Sequence, residues 1–135
     1  MEIRRRLPAT PVAPSEARAT IRMFEEILPE PVVDDLAVIV SELSTNVIQH
    51  AALEPGASFE LRINFSPPVV RVEVRDDGIE EVALEAKPPE VGTLPESGWG
   101  LDLVRSLSSR CSLEKIDGTA AWAELDLTQG KPERS

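Results

Sequence analysis

The sequence predicts an α/β two-layer sandwich of the α+β kind, in which a mixed, largely antiparallel sheet carries its helices on one face. Two early stretches repeat their apolar residues at helical spacing. Two adjacent later stretches alternate apolar and polar residues with period 2. A short helical pattern and a closing hairpin follow. Helices first and strands later, each strand with one apolar face, is the order expected when helices cover one side of a sheet.

The elements follow in turn. Glu2 to Leu7 reads as a short edge strand ended by Pro8 and the Pro11 to Pro14 stretch. From Ser15, a candidate N-cap, Ala17, Ile21, Phe24 and Leu28 mark a first helix, which Pro29 and Pro31 break. Asp34 and Asp35 suit the opening turn of a second helix, expected to run to about Ala52. Phe59, Leu61, Ile63 and Phe65 alternate with Glu60, Arg62 and Asn64. Ser66-Pro67-Pro68 then turns the chain, and Val70, Val72 and Val74 alternate with Arg71, Glu73 and Arg75. Residues 79 to 97 hold three prolines and five glutamates without periodicity and read as a long loop. Leu101, Val104 and Leu107 return to helical spacing. Asp117-Gly118 reads as a hairpin turn joining a strand near 111–116 to one marked by Ala121, Ala123, Leu125 and Leu127. The tail 129–135 is polar, and the whole of 1–135 reads as one domain without repeat or linker.

Composition is that of a globular chain, 41% hydrophobic and 28% charged. With 24 acidic against 14 basic side chains and a formal net charge of -10, direct nucleic-acid binding is disfavoured. The single cysteine, Cys111, rules out an intrachain disulfide and a cysteine metal cluster. No secretory signal or membrane-length apolar run is visible, so the expectation is a soluble cytoplasmic protein with no membrane partner.

Four local patterns carry chemistry. In the second helix, Glu42, Asn46 and His50 stand four residues apart. Each step of four advances only about 40° around a helix, so they form one polar stripe. Leu36, Val40, Leu43 and Val47 fall beside it at about 100° to 160°, which puts the stripe at the margin of the core. A carboxylate base, a neutral oxygen ligand and a ring in one row suit magnesium-assisted chemistry on a phosphate. By strand parity Asp76 shares the apolar face of Val70, Val72 and Val74, where a carboxylate can accept a hydrogen bond from an exocyclic amine such as adenine's. Gly78 allows close backbone approach. Gly98 and Gly100 precede a helix, an arrangement that offers backbone N–H groups to phosphate oxygens. Thr119, after Gly118, shares parity with Ala121 and Ala123, while Trp122 and Glu124 are expected to face solvent or a partner.

In this order the four patterns resemble the Bergerat-fold ATP-binding superfamily, which includes DNA gyrase B, Hsp90, histidine kinases and MutL. The run Ser-Glu-Leu-x-Thr-Asn-x-x-x-His-Ala at residues 41–51 and the late Gly-Thr-x-x-Trp at 118–122 look most like its stand-alone anti-sigma-factor serine/threonine kinases. The resemblance implies ATP and Mg²⁺ as cofactors. It makes Glu42 the general base and Asn46 the metal ligand, with His50 at the pocket's edge. Asp76 would bind the adenine amine with Gly78 giving it room; Gly98, Gly100 and Leu101 would line the triphosphate site, and Thr119 would close the adenine end. The partners implied are a sigma factor and an anti-sigma-factor antagonist, with a homodimer as a further expectation. Two positions depart from the pattern. Glu80 stands where many members have a glycine, and Gln49 stands where histidine kinases often have a basic residue. A nucleotide-dependent binding module with little or no kinase activity is the alternative reading. A separated histidine-kinase catalytic domain is a third, disfavoured because the only histidine lies inside the motif.

Overall fold

The computed structural model describes residues 1–50, 56–76, 102–114 and 119–128. Among these residues, five strands and three helices follow one another as β1 (Glu2–Pro8), α1 (Ala13–Arg22), α2 (Glu30–His50), β2 (Ser58–Ser66), β3 (Val69–Asp76), α3 (Asp102–Leu107), β4 (Arg110–Glu114) and β5 (Thr119–Asp126). The strands form one open sheet in the order β1-β2-β3-β5-β4. Every pairing in it is antiparallel, so the sheet is not mixed as the sequence reading expected. The reason is its connections. Hairpin-like neighbours β2–β3 and β4–β5 supply two antiparallel pairs, and β5 enters beside β3 running against it. The β1 edge strand is where the sequence put it.

The two long helices pack together along one face of the sheet, with α2 lying over β3 and β5 and α3 packing on α2 and β4. Phe59, Leu61 and Ile63 of β2, Val70, Val72 and Val74 of β3, and Ala121 and Ala123 of β5 form the floor of the core. Leu36, Ile39, Val40, Leu43 and Val47 of α2 press on it, the face that periodicity assigned. At the edge, Arg5 points inward from β1 and donates to Thr20 Oγ1 at 2.7 Å and Glu16 Oε1 at 3.0 Å, tying the strand to α1.

Helix boundaries differ from the expected ones. Helix α1 starts at Ala13, capped at Val12 without a side-chain bond, rather than at Ser15. Pro14 explains this, because its fixed φ suits a first turn and no donor is lost there. The helix stops at Arg22, yet Phe24 and Leu28 remain buried because a chain of tight turns continues. The N–H of Phe24 bonds the Ile21 carbonyl at 2.9 Å, and that of Leu28 bonds the Phe24 carbonyl at 3.0 Å. Helix α2 begins at Glu30, so Pro31 sits in its first turn instead of before it. Asp34 and Asp35 therefore lie inside the helix. Asp34 is 3.5 Å from Arg22, and Asp35 is buried. Ala52, Leu101, the 79–97 segment, the Asp117-Gly118 turn and the tail 129–135 lie outside the described residues. Among those described, no helix is long and apolar enough to cross a membrane.

Candidate functional site

Helix α2 supplies the first wall. Its spacing puts Glu42 and Asn46 one turn apart at the seam between its buried face and its outer face, Glu42 half-buried and Asn46 buried. Ile39 and Leu43, both buried, flank Glu42 on the core side, and the more exposed Val38 lies one turn before it. A carboxylate there is shielded on one flank and open on the other. The Asn46 Nδ2 is buried without a hydrogen-bond partner, an amide donor left unsatisfied at this margin of the core. The Ser44 Oγ is likewise buried without a partner, on the opposite side of the helix. His50 is the last residue of α2 and continues the stripe by one further turn of backbone.

The second wall comes from the ends of two central strands. Asp76 closes β3 and Thr119 opens β5, and the antiparallel register pairs these two residues directly. Sequence parity singled them out separately. The ladder makes them neighbours, two positions beyond the Val74–Ala121 pair that floors the core under α2. Gly78, Gly98, Gly100 and Leu101 lie outside the described residues. Helix α3 begins at Asp102 and buries Val104 and Leu107 at the spacing expected.

Cys111 has no part in such a site. Its thiol is buried, and burial pushes its pKa up despite a hydrogen bond to Ser108 and the field of Arg105. That is the wrong direction for a nucleophile.

Two features escaped the sequence reading. Asp35 lies seven residues before Glu42, within about 20° of it around the helix, and is buried; the i, i+7 spacing was the available signal. Trp122, expected to face solvent or a partner, exposes only 5% of its surface. Parity put it correctly on the outer face of the sheet, but the guanidinium of Arg71 lies 4.1 Å from its ring centroid and that of Arg110 5.7 Å away. Arginine stems cover an aromatic ring that strand alternation alone would leave bare.

Comparison with known proteins places this geometry. A search of curated proteins gives no match. Among solved structures, the chain is similar to the crystal structure of the RsbU and RsbW domains of Rv1364c from Mycobacterium tuberculosis, at 19% identity and a TM-score of 0.70. The similarity covers 93% of this chain but 31% of that one, so this chain spans about a third of the length of the chain it matches. At such identity the likeness is one of fold. A family model for the histidine kinase-like ATPase domain matches residues 7–125, from the end of β1 almost to the end of β5. The chain belongs to the histidine kinase-like ATPase domain family.

Proposed function

We propose that this chain is one histidine kinase-like domain over residues 1–135, acting in the cytoplasm as an ATP-dependent serine/threonine protein kinase and anti-sigma factor. It phosphorylates an anti-sigma-factor antagonist and, when that antagonist is lacking, sequesters a sigma factor, acting as a homodimer. The observation that carries the reading is the juxtaposition just described: the Glu42–Asn46 stripe lies on the helix that crosses β3 and β5, the strands whose ends pair Asp76 with Thr119. The family match and the fold likeness support it.

In this reading Asp76 accepts a hydrogen bond from the adenine amine, Gly78 leaves room for the ring, and Thr119 closes that end. Gly98, Gly100 and Leu101 line the phosphates, and His50 borders the pocket. The residues present fit a magnesium ion of the nucleotide-shared kind. Among the described residues no cluster of three acidic, histidine or cysteine side chains could hold a metal alone, whereas Asn46 carries a neutral carboxamide oxygen, the donor type that Mg²⁺ takes beside phosphates and water. Mg²⁺ held by Asn46 and the phosphates would neutralise charge developing during transfer. The serine hydroxyl of the acceptor attacks the γ-phosphorus, the bond to the β-phosphate oxygen breaks, ADP departs, and Glu42 takes the hydroxyl proton. Glu42's open flank leaves room for an acceptor protein to approach.

The test is incubation with Mg-ATP and a candidate antagonist, read as phosphoserine by mass spectrometry. Glu42→Ala should lower the transfer rate by about 10²-fold or more, and equal signals from both proteins would remove Glu42 as base. Nucleotide binding without transfer to any antagonist would favour a nucleotide-dependent binding module. Asp76→Asn should weaken binding of a fluorescent adenine nucleotide by about tenfold or more, the cost of one charge-assisted hydrogen bond.

A further inference from the structure

The outer face of the sheet, opposite the helices, carries six of the chain's 14 basic residues: Arg4, Arg6, Arg62, Arg71, Arg75 and Arg110. The carboxylates paired with Arg62, Arg71, Arg75 and Arg110 are recessed between them, while Glu2 beside Arg4 at the β1 edge is exposed. Glu60 lies 2.6 Å from Arg62. Glu73 lies 3.0 Å from Arg75, and Glu124 lies 2.9 Å from Arg71 and 3.7 Å from Arg110. The side chains of Arg62, Arg75, Arg71 and Arg110 are 32, 35, 36 and 71% exposed, against 19, 11 and 18% for Glu60, Glu73 and Glu124. Around these four arginines the face therefore presents mainly guanidinium, in a chain whose formal net charge is -10. Beneath the most exposed of these groups lies the flat ring of Trp122. Among the described residues, no helix or strand covers this face.

We propose that this face is a docking surface for a carboxylate-rich protein segment, centred on Arg110 and Arg71, the arginines that roof Trp122. A guanidinium paired with one carboxylate keeps N–H donors free, and its planar fork suits a second carboxylate bidentately. Arginine is also among the residues that most often dominate binding energy at interfaces. A polyphosphate is a worse fit, because the recessed glutamates and the overall negative charge oppose its dense charge. A second copy docking face to face would set arginine against arginine. The five strands span roughly 20 Å, which gives a footprint at the small end of transient interfaces. Glu42 and Asn46 lie on the opposite side of the sheet, so a segment docked here leaves the helix layer free. The proposal does not rest on the kinase reading.

The chain has two tryptophans and no tyrosine, so a Trp99→Phe background makes Trp122 the only strong fluorophore. In that background, hexaglutamate peptide at low salt should change Trp122 emission saturably, with half-saturation below about 5 mM. Arg110→Gln, at a side chain 71% exposed, should raise the half-saturation point by about fivefold or more. Arg71→Gln with Arg110→Gln should abolish the change. Arg18→Gln with Arg22→Gln, on the helix layer, should leave it intact. The proposal is overturned by no saturable change, by equal binding of hexaglutamine, or by equal loss from the helix-layer pair. Tighter binding of a DNA oligomer of equal charge would overturn it in favour of a nucleic acid. Self-association that Arg110→Gln abolishes would overturn it in favour of a second copy.

Discussion

The two faces of the sheet are built from alternate residues of the same strands, and different forces hold them. On the inner face Phe59, Leu61, Ile63 and the three valines of β3 are sealed under α2. Their contribution is burial, which scales with apolar area and hardly responds to salt. On the outer face the same strands carry Arg62, Arg71, Arg75, Glu60 and Glu73, whose pairs are partly exposed and individually contribute about 0–1 kcal/mol. Trp122 is the exception that sharpens the contrast. It belongs to the outer face by register but is as buried as the core. Charged side chains can roof an aromatic ring, so the sheet face turned away from the described helices can still bury large apolar surface.

The largest effect expected from this contrast is on the inner face. Phe59→Ala should cost about 3–5 kcal/mol in urea unfolding, because a fully buried ring leaves a cavity that neighbouring strands cannot close. Trp122→Ala should come next, at about 2–3 kcal/mol, with part of the loss reduced by salt because arginine stacking contributes. A cost below about 0.5 kcal/mol would make Trp122 an ordinary surface residue and break the comparison. Arg4→Ala, whose partner Glu2 is exposed with it, should stay within about 0.5 kcal/mol. The smallest effect expected runs the other way. Ser44→Ala should be neutral or stabilise the fold by up to about 1 kcal/mol, since it removes a buried hydroxyl that has no partner. A clear destabilisation would mean that Ser44 serves a bond formed only with ligand or partner present.

The periodic parts of this fold were legible in the sequence for a physical reason. Alternation in β2 and β3 and the 3.6-residue repeat of α2 are imposed by one-sided burial, and every apolar position they marked on α2 is buried. Helix starts were less legible. Ser15 and the Asp34–Asp35 pair looked like caps, but Pro14 and Pro31 initiate both helices earlier, since a proline in a first turn loses no hydrogen bond. The all-antiparallel pairing was not visible because it depends on where β5 enters the sheet, a long-range choice that no local pattern records. For the candidate site, parity marked Asp76 and Thr119 one at a time, while their direct pairing is a property of register. The burial of Trp122 was hidden because alternation reports which way a side chain points, and not what long side chains from adjacent strands fold over it.

The sheet order has one more consequence. The latest of the five strands in the chain, β5, does not add to an edge but inserts between β3 and β4. As the chain leaves a ribosome, at roughly 5–20 residues per second, β1, β2 and β3 can pair before β5 exists. The Asp76 end of β3 would then have no neighbour until Thr119 arrives. On this account the proposed nucleotide site is among the last parts to be completed. A partly made chain would expose an open edge at β3, which β5 both closes and turns into one wall of the proposed site.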